Sequence, residues 1–340
     1  MSAMSPPLPP DDLRLVADSV GPLWQRLAGA RVLFTGASGF FGSWMLETFL
    51  HAGTQLGLPF RALALTRDRS RFSQSLPHLA TDPRVEILES DAATMPVPDG
   101  PVDFVIHSMV PPAGTRLGEM ARFFPAATQH LLEVAQSKSA KGFLLCSTGA
   151  VYLPKDPPAP FSEGDPLHAA DGPLSYGQIR RRIEDQCLAA WMRGSLPVKI
   201  ARGFTFLGPR LPLDGAFAAG NFLRDAMAGG PIVVRGDGSP VRSYLYAADL
   251  AAWLWTILLD GRPGLAYNVG SHLAITISTL ARRIGSRFRV DVCLGSEGFP
   301  GAAPSCYLPA TSRAEAEFGP MLHTSLRDGI DRMASWYAKS

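Results

Sequence analysis

Three glycines at a regular spacing of three residues are the most specific chemical motif in the sequence. Gly36, Gly39 and Gly42 lie in RVLFTGASGFFG, after a short apolar run and before an amphipathic segment. This pattern predicts a strand, a tight turn and a helix, and glycine lets the turn approach a ligand closely. The free N–H groups and positive dipole end of the helix suit a pyrophosphate. We therefore expect a dinucleotide to be held by Gly36, Ser38, Gly39, Phe40 and Gly42.

The end of the second predicted strand, 60–65, bears on which dinucleotide binds. It runs into Thr66-Arg67-Asp68-Arg69. In dinucleotide-binding folds an acid at this point binds the adenosine ribose hydroxyls, whereas an arginine accommodates a 2′-phosphate. Arg67 is available for that phosphate and Asp68 is the only acid. The sequence therefore favours NADP, with NAD left open.

Two further predicted strands, 85–88 and 102–106, also end in polar residues. Asp91 follows the first and is placed to accept a hydrogen bond from the adenine amino group. His107 and Ser108 follow the second, and we assign both to the cofactor side of the sheet. His107 has no second histidine or acid at metal-ligand spacing, so a backbone or packing role is favoured and no metal site is predicted.

Short apolar, β-branched runs that alternate with helical patterns predict an α/β fold. We expect a Rossmann-like, doubly wound parallel sheet with ligands at the carboxyl ends of its strands, and a smaller C-terminal substrate-binding lobe. A fifth strand is predicted at 142–146 and long helices at 119–138 and 175–193. The predicted divisions are a tail and covering helix (1–29), a dinucleotide-binding domain (30–204, with contributions from 240–270) and a mainly substrate-binding lobe (205–340).

The N-terminal segment precedes the glycine turn and carries no obvious chemistry. Residues 1–10 are rich in proline, so we expect them to be disordered. From Asp11 to Leu27 apolar residues recur at helical spacing, with Pro22 inside the pattern. This predicts two helical pieces packed over the first strand.

Composition excludes several classes of function. The chain has 340 residues, of which 46% are hydrophobic, and a net charge of +2. It has no basic run, so no nucleic-acid partner is predicted. Four cysteines without a CxxC pair favour reduced thiols. The start lacks a signal-peptide pattern, and the longest apolar run, 250–259, is about half of the ~20 residues that a membrane crossing requires. We expect a soluble, cytoplasmic protein without membrane contact.

Several motifs, in order, resemble the extended short-chain dehydrogenase/reductase family, and within it the nucleotide-sugar epimerases and dehydratases. They are TGASGFFG at 35–42, STGAVY at 147–152, YGQIR at 176–180, RGFTFLGP at 202–209, the segment 236–249 and YNVG at 267–270. The resemblance covers roughly residues 30–338, and independent motifs in the family's order support it.

The resemblance implies that Tyr176 exchanges the proton of a sugar hydroxyl while hydride moves to or from the nicotinamide. A free phenol has a pKa near ~10, so it needs a nearby cation to act as a base at neutral pH. The family has lysine four residues later, where this chain has Arg180 on the same helix face. Arg180 keeps the charge and can donate to ribose oxygens, but it cannot release a proton. Thr148 matches the family position that polarises the substrate carbonyl.

The two residues after Thr148 separate the possible reactions. Dehydratases of this family carry an Asp-Glu pair there, whereas this chain has Gly149-Ala150. Dehydration is therefore disfavoured, unless Glu163 or Asp165 in the next loop supplies a carboxylate. Epimerisation and keto-reduction need only the tyrosine, the threonine and the cofactor.

The substrate side is expected in 205–245 and 295–315. Arginine suits a nucleoside diphosphate because it forms paired hydrogen bonds. Arg313 has the pattern of an ordinary surface charge at a helix start, and Thr205 replaces an asparagine of the family. The candidate substrate-binding residues are Thr205, Asn221, Phe222, Arg242 and Tyr307.

The favoured function is an NAD(P)-dependent epimerase or 4-ketoreductase that acts on a nucleotide-activated sugar. Three alternatives remain open: a 4,6-dehydratase, an NADP-binding sensor or scaffold with weak or no catalysis because of Arg180, and a reductase of small non-nucleotide carbonyls. Such enzymes commonly pair through the helices that correspond to 119–138 and 175–193. The resemblance therefore implies a homodimer.

Overall fold

A computed structural model of the chain describes residues 5–112, 114–194, 196–215, 217–295 and 305–339. Its strands, in chain order, are β1 Arg31–Thr35, β2 Arg61–Thr66, β3 Val85–Glu89, β4 Phe104–His107, β5 Gly142–Thr148, β6 Val198–Gly203, β7 Phe206–Leu207, β8 Ile232–Val234, β9 Val241–Arg242, β10 Leu245–Tyr246, β11 Ala266–Val269, β12 Ile275–Thr276, β13 Val292–Leu294 and β14 Cys306–Tyr307.

The α-helices are α1 Pro10–Val20, α2 Phe40–Leu56, α3 Arg69–Ser75, α4 Pro77–Ala80, α5 Leu117–Ser137, α6 Tyr176–Met192, α7 Ala218–Met227, α8 Ala247–Asp260, α9 Ile277–Phe288, α10 Ser312–Phe318 and α11 Leu326–Tyr337. In the parts of the chain that the structure describes, no helix combines the length and the apolar character that crossing a bilayer would need.

Seven strands form one parallel sheet in the order β11-β6-β5-β4-β1-β2-β3. Helices cover both faces, which is why the central strands are almost continuous apolar runs rather than alternating ones. The chain reverses its winding between β1 and β4, and ligands of such sheets bind outside the carboxyl ends of the strands at this point. The predicted α/β doubly wound sheet is confirmed.

The N-terminal segment packs over this sheet. Its pattern is split at Pro22 as predicted, into α1 and a 3₁₀ helix at Gly21–Leu27. Trp24 is fully buried, with its ring centre 4.9 Å from that of Trp255 on α8. The prediction of disorder is wrong for 5–10, because Leu8 is buried and its N–H donates to Glu47 at 2.7 Å. Composition alone does not reveal this anchoring by a distant carboxylate, and residues 1–4 lie outside the described residues.

The later part of the chain adds small sheets and helices beside the strand ends. Strands β9, β12 and β14 form a three-stranded sheet, and β8 with β13 and β7 with β10 form pairs. Between these elements, α8 packs on the central sheet and β11 joins its edge beside β6. This arrangement places β14, which carries Tyr307, over the end of β5.

Candidate functional site

The glycine turn has the geometry of a phosphate cradle. Gly36 has a φ of +68°, which favours glycine, and a Cβ there would lie 2.9 Å from the carbonyl oxygen of Ser108. A Cβ on Gly42 would collide with the carbonyl oxygen of Gly36. Helix α2 begins at Phe40 and no side chain caps its first turn. Its N–H groups therefore remain available to a pyrophosphate, and the turn fits a dinucleotide.

The side chains at the end of β4 are bound within the protein. His107 is buried, and its Nδ1 and Nε2 atoms each lie 2.9 Å from a threonine hydroxyl, of Thr35 and Thr128 respectively. Burial, with the charge of Arg180, lowers the pKa of His107 to about 3, so the ring is neutral. Ser108 donates to the carbonyl of Thr35 at 2.8 Å. These contacts fix β4 against β1 and occupy the side chains of both residues within the protein.

The ligand spacing around His107 predicts no metal site at this edge of the sheet. Across the described ranges, no three His, Cys, Asp or Glu side chains come together as metal ligands would.

Asp91 is half-buried and accepts the N–H of Ala93 at 2.8 Å. Its contact with adenine stays a prediction.

The charged residues after β2 have separate roles. Asp68 caps α3 by accepting the N–H of Arg71 at 2.8 Å, and Arg69 donates to the carbonyl of Ile87 at 2.5 Å. Arg67 is exposed and makes no hydrogen bond or ion pair among the described residues. Arg67 is therefore the group at this strand end that is free to meet a ligand anion.

The start of α6 packs on the turn that follows β5 and Thr148. Tyr176 is the first residue of α6, and α6 packs so closely on the turn after Thr148 that a Cβ on Gly177 would collide with the carbonyl oxygen of Ala150. The Thr148 hydroxyl accepts the N–H of Ala150 at 3.2 Å and lies 3.3 Å from the hydroxyl of Tyr307. The hydroxyls of Thr148 and Tyr307 therefore form a cluster at this strand end, and Tyr176 is close enough to raise the pKa of Tyr307.

Tyr307 is a predicted substrate-binding residue, and the structure gives it a contact with Thr148 as well. Burial raises the pKa of Tyr307 to about 12; the hydrogen bond with Thr148 opposes that rise, and nearby Tyr176 adds to it. The phenol therefore stays protonated at neutral pH and can donate a hydrogen bond.

Arg180 lies one helical turn after Tyr176 on α6 and is only 3% exposed. Its Nη2 donates to the carbonyl of Cys146, while Nε and Nη1 are buried without a partner among the described residues. Unpaired buried donors are costly, so they indicate an acceptor that the protein itself does not supply. The hydroxyls of a nicotinamide ribose are acceptors, and Arg180 thus fits the predicted dinucleotide.

The position after Thr148 has no room for a side chain. A Cβ on Gly149 would lie 2.7 Å from the ring of Phe204 and 2.9 Å from the hydroxyl of Tyr307. The two aromatic rings pack with their centres 4.7 Å apart. Phe204 was absent from the predicted site, and no sequence signal indicated it, because only the fold brings it to Gly149.

The two loop carboxylates considered for dehydration are bound elsewhere. Glu163 accepts the N–H of Asn268 at 2.9 Å, and Asp165 pairs with Lys155 at 2.5 Å.

Among the other substrate candidates, Arg242 lies beside the cluster. It donates to the carbonyl of Ser305 at 3.0 Å, with its guanidinium 5.9 Å from the ring centre of Tyr307. Thr205 donates to the carbonyl of Ser243. Part of the predicted substrate segment, 296–304, lies outside the described residues.

The structure corrects two details of the substrate side. Asn221 and Phe222, which the sequence suggests would precede a helix, lie within α7; Asn221 donates to the carbonyl of Gly215 at 2.9 Å, and Phe222 is buried in the core. Arg313 is more than a surface charge, because it donates to the carbonyl of Ala266 at 2.7 Å and so ties α10 to β11. Apolar packing explains Phe222 without a ligand.

Comparisons with known proteins agree with this geometry. Residues 32–270 match the model of the NAD dependent epimerase/dehydratase family. UDP-glucuronic acid decarboxylase 1 of Arabidopsis thaliana is 25% identical over 323 residues, which are 90% of this chain and 69% of that protein.

Two solved structures share the fold. One is dTDP-glucose 4,6-dehydratase DesIV of Streptomyces venezuelae with NAD bound, with a TM-score of 0.77, 23% identity and coverage of 91% of this chain and 97% of that one. The other is UDP-glucuronic acid 4-epimerase of Bacillus cereus with NAD and UDP-glucuronic acid, with a TM-score of 0.76, 21% identity and coverage of 91% and 99%. This chain belongs to the NAD-dependent epimerase/dehydratase family and is an NAD(P)-binding enzyme of that type.

Proposed function

We propose that the enzyme acts on a nucleotide-activated sugar by hydride transfer at a sugar carbinol, as an epimerase or 4-ketoreductase. The bound nicotinamide supplies the hydride acceptor and donor. The observation that supports the proposal is the contact between the hydroxyls of Thr148 and Tyr307 beside the start of α6, where Tyr176 is close enough to raise the pKa of Tyr307.

Each residue has a defined task in this mechanism. Tyr176 removes the carbinol proton as hydride leaves the carbon and returns a proton when hydride comes back. The oxygen of Thr148 already accepts the N–H of Ala150, which leaves its proton to donate to the substrate oxygen. Arg180 keeps two buried donors, Nε and Nη1, for the ribose hydroxyls of the cofactor.

Decarboxylation of a nucleotide-activated uronic acid is a second candidate. A sugar acid oxidised at C4 is a β-keto acid, which loses CO2 as electrons move into the ketone, and hydroxyl donors at that oxygen are sufficient. This suits a site in which Phe204 and Tyr307 fill the side-chain space at Gly149. It is also the reaction for which the Arabidopsis relative is named. Dehydration remains a less favoured alternative, because Glu163 and Asp165 are bound elsewhere.

We infer NADP as the preferred cofactor, with NAD as the alternative. Arg67 is exposed and uncommitted at the end of β2, whereas Asp68 caps its own helix. An arginine in this place accommodates a 2′-phosphate. The two similar structures contain NAD, which supports the alternative.

The test is a Tyr176→Phe variant assayed with UDP- and dTDP-linked neutral sugars and uronic acids, with products identified by mass spectrometry. Loss of the acid–base group should lower kcat by about 10²- to 10⁴-fold, while the dissociation constant of NAD(P) stays unchanged. Tyr267→Phe is the matched control, because it removes a buried phenolic hydroxyl outside this cluster. Full activity of the Tyr176→Phe variant would refute the mechanism, and a 4-keto-6-deoxy product would establish dehydration instead.

A further inference from the structure

A buried ion pair joins α6 to β6 behind the reacting groups. Glu184 lies two helical turns after Tyr176 and is fully buried, and Arg202 is 3% exposed. Their carboxylate and guanidinium form two close contacts, with Nε–Oε1 at 3.1 Å and Nη2–Oε2 at 2.7 Å. This paired geometry fixes orientation as well as distance.

The same carboxylate also holds the end of β5. The hydroxyl of Ser147 donates to Oε1 of Glu184 at 2.6 Å. Ser147 directly precedes Thr148, so the helix that carries Tyr176 is connected by one hydrogen bond to the strand end that carries Thr148.

On its other side, the guanidinium reaches the substrate lobe through a second set of bonds. Arg202 Nη1 donates to the hydroxyl of Tyr152 at 2.9 Å, and that hydroxyl donates to Oδ1 of Asn268 at 2.7 Å. The Asn268 amide donates to the carbonyls of Phe161 at 2.8 Å and Ala310 at 3.2 Å. Ala310 lies three residues after Tyr307, and Phe161 pairs with the same segment at Pro309.

The path closes at the reacting groups. Phe161 and the segment around Pro309 form a parallel bridge, with Phe161 N–H bonded to the Leu308 carbonyl at 2.8 Å. Tyr307 precedes this bridge, and its hydroxyl lies 3.3 Å from that of Thr148. One continuous path of polar contacts therefore runs from α6 through Arg202 to the segment that bears Tyr307.

We propose that Arg202 is a positioning residue that sets the distance between Tyr307 and Thr148 by joining α6 to the substrate lobe. The inference rests on the proposed function. Buried ion pairs contribute little net stability compared with apolar replacements, so stability alone does not account for one here. No side-chain polar atom of Arg202 or Glu184 is left unpaired, and a satisfied buried network holds one geometry.

The sharpest test is Tyr152→Phe, which keeps the ion pair and removes only the hydroxyl between Arg202 and Asn268. Tyr267→Phe is the matched control: it also removes a buried hydroxyl of a β11-associated network, which accepts from Arg262 and donates to Glu317. Tyr152→Phe should lower kcat by about 10- to 100-fold through misplacement, with the cofactor dissociation constant unchanged. Tyr267→Phe should lower the melting temperature about as much as Tyr152→Phe does, but it should leave kcat unchanged.

Amide hydrogen exchange separates this proposal from the proposed function, because it needs no substrate. In Tyr152→Phe, protection at Phe161 and Ala310 should fall by about tenfold, and in Tyr267→Phe it should not. If the wild-type enzyme turned over no nucleotide sugar, the proposed function would fail while exchange still decided the positioning role. The positioning role would be overturned if amide exchange in Tyr152→Phe equalled that of the wild-type protein, or if both variants lost kcat equally.

Discussion

The hydroxyls of Thr148 and Tyr307 lie 3.3 Å apart on segments separated by 159 positions in the chain. Between them, Gly149 leaves space that Phe204 and Tyr307 fill. At the scale of single residues, the position after Thr148 therefore lacks a carboxylate and also lacks the space for one. The Tyr307 phenol that occupies this space lies at Thr148, the predicted catalytic threonine.

Replacing Gly149 with aspartate should not create a dehydratase. The new side chain would overpack the site, which costs about 1–3 kcal/mol, and it would push Tyr307 away from Thr148. We expect a lower melting temperature, lower kcat and no 4-keto-6-deoxy product by mass spectrometry. Ala150→Ser is the control, with small effects on both quantities; appearance of the dehydrated product in Gly149→Asp would contradict this account.

Arg67 provides a test of cofactor preference. Arg67→Ala should raise the dissociation constant of NADP by about tenfold, or ~1.4 kcal/mol, by removing a charge opposite the 2′-phosphate. The dissociation constant of NAD should not change. Both are measured by titration calorimetry, with Arg61→Ala, an exposed arginine at the other end of β2, as the control. Equal weakening of NAD and NADP would show that Arg67 does not recognise the phosphate.

At the scale of elements, α5 and α6 pack against each other and use their apolar stripes inside the protein. Their outer surfaces carry mostly polar residues, with exposed apolar side chains at the ends, such as Leu117 and Met192. Leu188 and Trp191 on α6 are partly buried against the core. A contact between two copies would therefore rest on small and polar side chains along the middle of the helices.

We propose that two copies pair through these helices, as the family resemblance implies. Sedimentation should then give twice the chain mass of 36.5 kDa. Ala126 is exposed midway along α5, so Ala126→Arg should shift the protein toward the monomer by introducing a large charge at the contact. Ser335→Arg, on the exposed face of α11, is the control and should not. A monomeric wild-type protein would exclude the pairing.

At the scale of the whole molecule, buried polar groups connect the two ends of the chain to the core. Asp12 on α1 accepts from the hydroxyl of Tyr246 at 2.6 Å and pairs with Arg332 on α11 at 2.5 Å. Asp249 at the start of α8 accepts the N–H of Thr324 at 3.0 Å. The C-terminal segment is thus held on the central domain by carboxyl groups that lie out of water.

Asp249 should make stability depend on pH. Burial raises its pKa from 3.8 to about 7, although hydrogen bonds from Thr324 oppose that rise. Between these two pH values the folded state binds more protons than the unfolded state, so the free energy of unfolding falls as pH rises. The contribution of this one group is at most about 4 kcal/mol.

Chemical denaturation at several pH values checks this expectation. Asp249→Asn should flatten the decline between pH 3.8 and about 7 relative to the wild-type protein. Asp11→Asn, which changes a carboxyl that is 84% exposed, should not. Parallel curves for Asp249→Asn and the wild-type protein would show that Asp249 does not titrate in this window.

The sequence by itself determined the local elements and the chemistry at their ends. Apolar runs and glycine spacing predicted the parallel sheet and the turn at Gly36, because these patterns reflect short-range backbone geometry. The spacing of Tyr176 and Arg180 placed both on one helix face for the same reason. The resemblance to a family supplied their expected roles, which no spacing could show.

Only the tertiary structure decided which distant segments meet. It anchored residues 5–10, bound Glu163 and Asp165 to other groups of the protein, buried Phe222, and brought Phe204 and Tyr307 to Gly149. These outcomes depend on contacts between residues far apart in the chain. Such contacts follow from packing, and packing leaves no periodic signal in the sequence.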